Sequence, residues 1–152
     1  MNIIFLDIDG VLNCRTTQDR IDNTNIVGIE SNKVKLLSTI VNETNSTIIL
    51  TSTWKFDWDK NKNPNYIGDY LDKKLYEYEL IITDKTIDYS YDRGTGIHKY
   101  LNEHSNIDNY VILDDSLFED YDNILLEHLV LTDFRIGLIE EDVLKAIEIL
   151  KK

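Results

Sequence analysis

Asp7 and Asp9 flank Ile8 near the start of the chain, and Asp114 and Asp115 stand side by side far downstream. If the extended geometry before Asp7 persists through Asp9, both side chains leave the backbone on one side, because successive strand residues alternate. Carboxylates that close repel, and the arrangement holds only where a cation neutralises them or one keeps a proton. With Asp114 and Asp115 added, the donor set is all oxygen, which suits a hard cation, magnesium first. Asp-x-Asp-Gly alone is equally well a turn, as is an isolated Asp-Asp. Placement argues for chemistry: each carboxylate pair follows a short apolar run, and Thr51-Ser52-Thr53-Trp54 follows another.

Those runs define the elements that must position the site. Asn2–Leu6, Thr47–Leu50, Leu80–Thr83, Tyr110–Leu113 and His128–Leu131 are each too short for a helix and rich in β-branched residues, so they predict buried strands. Helical spacing lies between them at Ser31–Val41, Tyr66–Tyr76, Gly94–His104 and Glu140–Leu150, the last with Val143, Leu144, Ile147 and Leu150 on one face. Asp114–Glu127 predicts at most a short helix. The alternation implies an α/β, Rossmann-like three-layer fold with a five-stranded parallel sheet. Such a sheet carries its ligand site at the carboxyl ends of the strands, where the acidic and hydroxyl residues fall.

Composition narrows the setting. A length of 152 residues predicts one domain spanning 1–152, with no repeat and a single proline, Pro64. No run approaches the ~20 apolar residues of a membrane span, and Met1 leads directly into a strand with no basic leader, so a soluble, cytoplasmic protein is expected. Cys14 is the only cysteine, which excludes an internal disulfide and any cluster of thiolate metal ligands. The formal charge of -12 disfavours nonspecific attraction to nucleic acid or anionic lipid, so a polyanionic substrate must be gripped locally.

Phe5-Leu6-Asp7-Ile8-Asp9-Gly10-Val11-Leu12-Asn13 resembles the first signature of the haloacid-dehalogenase (HAD) superfamily. Ile48-Ile49-Leu50-Thr51-Ser52-Thr53-Trp54 resembles its second motif, and Val111-Ile112-Leu113-Asp114-Asp115 its fourth. For the third, a cation near the start of the helix before the fourth motif's strand, Arg93 is the better match; Lys99 lies mid-helix and reads as a solvated charge. The Asp-Gly-Val-Leu-Asn, Ser-Thr-Trp and Arg-Gly pieces look closest to small phosphatase-like domains of polynucleotide-repair proteins.

The resemblance implies that the first strand lies between the second and fourth, bringing Asp7, Thr51 and Asp114 together. It implies a magnesium-dependent phosphatase in which Asp7 is the nucleophile and forms an aspartyl phosphate, and Asp9 is the general acid and base. Thr51 and Arg93 would hold the phosphoryl group, with Gly10, Ser52, Thr53 and Trp54 lining the substrate, and Arg15 in the possible flap is a further substrate-binding candidate from its own position. The metal would rest on Asp7, the Asp9 carbonyl, Asp114 and Asp115. Family members that cleave carbon–halogen bonds lack the second aspartate, so Asp9 favours phosphoryl transfer.

The intervals 14–30 and 55–92 are too short for a large cap domain; the first has room only for a flap. An open site follows, suited to a phosphorylated substrate such as a nucleotide or a nucleic-acid terminus. Trp54, Phe56, Trp58, Tyr66, Tyr89 and Tyr91 fall in these intervals and are candidates to stack on a base, although core burial is the commoner fate of such rings. Arg15 and Arg20 are candidate phosphate contacts. His98, His104 and His128 adjoin no motif and read as structural or exposed. Two alternatives have different signatures: a receiver-like phosphoacceptor domain, whose acceptor would be Asp84 after the third strand, and a catalytically silent binding module of the same fold.

Overall fold

A computed structural model describes residues 1–62, 65–88 and 92–152 of the chain. Its strands are β1 (Asn2–Leu6), β2 (Ser46–Leu50), β3 (Ile82–Lys85), β4 (Asn109–Asp114) and β5 (Leu129–Leu131). They form one parallel sheet in the order β3-β2-β1-β4-β5. The helices are α1 (Ser31–Thr44), α2 (Tyr66–Tyr76), α3 (Arg93–Glu103), the single turn α4 (Asn123–Leu126) and α5 (Glu140–Leu150), and a 3-10 turn covers Thr53–Asp57.

Alternation within the strands makes the three layers. Ile4, Leu6, Ile48, Leu50, Val111 and Leu113 face one side, packed under Val34 and Leu37 of α1, Leu71 and Leu75 of α2 and Val143 and Ala146 of α5. Their neighbours Ile3, Phe5, Ile49, Tyr110 and Ile112 face the other, against Ile97 and Tyr100 of α3 and Leu125 of α4. The central strands are apolar throughout because both faces are covered. A receiver-type sheet runs 2-1-3-4-5; here β1 lies between β2 and β4, as the HAD resemblance implies, and Asp84 lies inside β3, its carboxylate 3.3 Å from the Tyr100 hydroxyl.

Most element boundaries agree with the sequence reading to within a few residues, and β3 is the informative exception. Its expected range began at Leu80, but the Leu80 amide donates to Leu75 O (3.1 Å) and Glu79 adopts a φ of 59°, so Leu80 belongs to the C-terminal turn of α2. β3 is an edge strand whose pairing with β2 shifts between Ile48 and Ile49, and it therefore starts late. The segment 14–30 is a flap, closed by a bridge between Arg20 and Val27. No helix among the described residues is long and apolar enough to cross a membrane.

The register sets the site. Leu6 lies level with Leu50 and with Leu113, so Asp7, Thr51 and Asp114 leave the sheet in one row. The ladder continues one residue past the strands, through Asp7 N to Leu113 O (3.0 Å), Thr51 N to Leu6 O (2.9 Å), Thr86 N to Leu50 O (3.0 Å) and Thr132 N to Asp114 O (2.9 Å).

Candidate active site

Asp7, Asp114 and Asp115 form one carboxylate cluster, each offering an oxygen within 4.8 Å of the others. Asp114 is fully buried; its Oδ2 accepts from Arg93 Nη1 and from the Tyr121 hydroxyl, both at 2.8 Å, and its Oδ1 from the Ser116 amide at 3.0 Å. Arg93 Nη1 also lies 3.3 Å from Asp7 Oδ1, so one guanidinium bridges the first and fourth motifs. Its plane rests over the Phe118 ring, 4.4 Å from the centroid. Lys99 stands away, exposed beside Glu103.

Arg93 reaches the cluster because α3 starts where it does. Asp92 makes no side-chain cap; Asp120 caps the helix from another loop, accepting from the Thr95 amide (2.8 Å). Glycine at 94 permits that approach: a Cβ there would meet the Asp120 carbonyl oxygen at 2.2 Å. Gly10 serves a similar purpose after β1. Its φ of +81° favours glycine, and a Cβ would fall 2.1 Å from the Asp115 carboxylate.

Thr51 is fully buried, and its hydroxyl has no hydrogen-bond partner among the described residues. A buried hydroxyl is seldom left unpaired, and one at the end of a strand in the carboxylate row is a ready donor to an incoming oxygen. Asp9, by contrast, is exposed and aimed: its Oδ2 accepts from Trp54 Nε1 (3.2 Å) and its Oδ1 from Asn13 Nδ2 (3.0 Å). Asn13 also bonds the Gly10 amide and the Gly28 carbonyl, tying the turn to the flap. Clefts of about 220 and 470 Å³ open on either side of Asp9.

The remaining sequence candidates divide. Ser52 is buried, and its hydroxyl caps the 3-10 turn by accepting from the Trp54 amide (3.2 Å); Thr53 is exposed at the smaller cleft and Arg15 at the larger. Trp54 and Trp58 are core residues, whereas Phe56 and Tyr66 are exposed; Tyr89 and Tyr91 lie outside the described residues. Arg20 is engaged with the carbonyls of Thr17 and Asp19. His98 pairs with Asp122 at the surface, and His104 and His128 stack on Tyr100 and Tyr110. Sequence reasoning missed Tyr121, and it missed Lys55, which is buried just beyond the second motif against Asp88 and Thr86.

Electrostatics distinguish the cluster. Burial, then the charge of Asp114, push the Asp7 carboxyl well above its ordinary range, and Arg93 offsets only part of this. Burial and Asp114 likewise raise Asp115. Burial alone would lower Arg93, but the carboxylates of Asp7 and Asp114 more than reverse that and raise it. The carboxylates outnumber the single guanidinium, and their all-oxygen donor set fits a hard divalent cation.

A family model described as the HAD domain in Swiss Army Knife RNA repair proteins matches residues 3–143. The chain belongs to this family. The match covers all of the sheet but Asn2 at the start of β1, together with the carboxylate cluster and Arg93, so this HAD domain carries its candidate site within the matched region. Neither the curated proteins nor the solved structures compared with the chain gave a match. Family membership makes this a phosphohydrolase-like HAD domain of the kind found in RNA repair proteins, and the described residues include no cap domain.

Proposed function

We propose that this HAD domain is a magnesium-dependent phosphatase that works through an aspartyl phosphate on Asp7, and that its substrate is a terminal phosphate of a nucleotide or nucleic-acid end. The carrying observation is the unbalanced buried cluster, in which Asp7, Asp114 and Asp115 face a single guanidinium beside the unpartnered Thr51 hydroxyl. Those carboxylates and the Asp9 carbonyl would hold a divalent cation, which would supply the missing positive charge and Lewis-acid stabilisation of phosphoryl oxygens.

The chain's own groups do the rest. Arg93 holds Asp7 in place and pairs with the phosphoryl group, while Thr51 donates its hydroxyl hydrogen to a phosphoryl oxygen. An Asp7 oxygen attacks phosphorus as the ester oxygen departs with the proton that Asp9 gives it. Water then attacks the same phosphorus; Asp9 takes its proton, the bond to Asp7 breaks and inorganic phosphate leaves. Asp9 suits this exchange because Trp54 and Asn13 orient a carboxylate that remains open to the clefts. The net charge of -12 favours a grip on one terminal phosphate over a long backbone track, so turnover should vary little with salt or chain length.

The test is phosphate release from nucleotides, phosphosugars and 5′- or 3′-phosphorylated oligonucleotides, with magnesium and with chelator. Magnesium-dependent release, with an acid-stable phosphate trapped on the Asp7 peptide, supports the reading. Full activity after exhaustive chelation, or brisk turnover of phosphosugars beside inert nucleotides, overturns the metal or the nucleotide part respectively.

A further inference from the structure

The loop between β5 and α5 is unusually well tied down for a surface connection. The Thr132 hydroxyl donates to the Gly10 carbonyl (2.7 Å), the Arg15 amide to the Phe134 carbonyl (3.0 Å) and the Leu138 amide to the Val11 carbonyl (2.9 Å). Lys33, a buried lysine on α1, spends its ammonium on the carbonyls of Ile136 (2.7 Å) and Leu138 (2.8 Å). Gly137 completes the fit with a φ of +72° and a Cβ position 3.0 Å from the Asn13 carbonyl oxygen. These bonds lock residues 132–138 onto the turn that carries Asp9 and Gly10.

What the loop presents is Phe134, 51% exposed. It lines the 470 Å³ cleft together with Asp9, Asp115, Asn13, Cys14, Arg15 and the flap residues Ile26 and Val27. A large exposed aromatic on a pinned loop loses little conformational freedom when a ligand meets it, which is the condition for a stacking platform. Of the two clefts that open at Asp9, the group assigned to protonate the departing oxygen, this is the larger and the one that also reaches Asp115.

Resting on the phosphatase reading above, we propose that this cleft is the leaving-group subsite and takes a nucleoside, its base stacked on Phe134 against Ile26 and Val27, with Arg15 at the rim to meet a neighbouring phosphate. Neither Phe134 nor its loop belongs to a sequence motif considered above. Phe134, Ile26 and Val27 give the two faces of a base an apolar contact that a sugar or a small polar alcohol would not use.

The test compares the wild type with Phe134→Ala and Phe134→Tyr on adenosine monophosphate and on acetyl phosphate, which has no base. Base stacking predicts that the Ala variant lowers the kcat/KM ratio of nucleotide to acetyl phosphate about tenfold, chiefly through KM, and that Tyr restores it. An unchanged ratio overturns the subsite while leaving the phosphatase reading intact. Calorimetric titration with adenosine monophosphate reads the same contact without turnover. Weaker binding by about tenfold in the Ala variant supports the subsite even if no ester is hydrolysed, and equal affinity removes it.

Discussion

Two buried ionic clusters lie at the carboxyl end of the sheet, and they are built on opposite principles. Lys55 and Asp88 pair one to one, and Thr86 closes the set by accepting from the ammonium (3.2 Å) and donating to the carboxylate (3.0 Å). Every charged group there has its complement. The cluster around Asp7 has three carboxylates against Arg93, with a buried hydroxyl left over. Burial lowers Lys55, with Asp88 opposing that shift, whereas burial and Asp114 drive Asp7 upward against Arg93. The balanced set is finished as it stands and holds the 3-10 turn to the segment after β3. The unbalanced set suits the proposed cation and phosphoryl group, which would bring positive charge and acceptor oxygens.

The largest effect is expected from Asp7→Asn at the unbalanced cluster. Turnover should fall on the order of 10⁴-fold, the scale seen when one member of a catalytic unit is removed. The metal-free melting temperature should hold or rise, because a repelled charge has been deleted. Near-normal phosphate release by a folded variant would sink the nucleophile assignment.

At the balanced cluster the effect should fall on stability. Lys55→Met strands Asp88 in the interior and should cost about 3–5 kcal/mol in urea unfolding. Adding Asp88→Leu should recover much of that, since removing both partners leaves no unpaired charge. No recovery in the double variant would mean that Lys55 contributes by packing rather than by charge.

Magnesium should separate the clusters next. At a hundredfold excess over its Kd it should stabilise the wild type by about 2.7 kcal/mol, and Asp114→Asn should lose most of that gain. An equal rise in melting temperature for both proteins would place the ion elsewhere. The smallest expected effect on turnover is Trp54→Phe, which keeps a smaller aromatic ring but removes the N–H that orients Asp9. A hydrogen bond to a charged group of this kind is worth about 1.5 kcal/mol, so kcat should drop about tenfold with KM little changed. Equal losses in kcat and thermal stability would instead mark Trp54 as packing alone.

Much of this was legible in the sequence. The central strands carry unbroken apolar runs because both faces are buried, and a run ending in Asp or Thr places that residue in the row above the sheet. Arg93 was legible because Gly94 follows it at a helix start. Lys55 was not: it follows the second motif directly, and a lysine in sequence reads as solvated until its partner, here Asp88, is brought beside it by the fold. Tyr121 escaped for the same reason, its acceptor Asp114 lying on a different element. The loop 132–138 left faint signals, Gly137 after an aromatic and a lysine on the buried stripe of α1, which gain meaning only when Lys33 is seen to reach its carbonyls.

The ladder bonds that run one residue beyond the strands carry a last consequence, for how the site is lost. The amides of Asp7 and Thr51 are bonded into the central strands, and those of Thr86 and Thr132 hold the residues after β2's and β4's neighbours in the same way. Such amides exchange their hydrogens only through openings that approach global unfolding, while a site carried on loops can melt on its own. In deuterium, Asp7 and Thr51 should therefore be among the slowest amides of the chain, exchanging with the core and well after the flap. The row of Asp7 and Thr51 therefore has no private stability, and heat or denaturant should remove it with the whole sheet in one cooperative step.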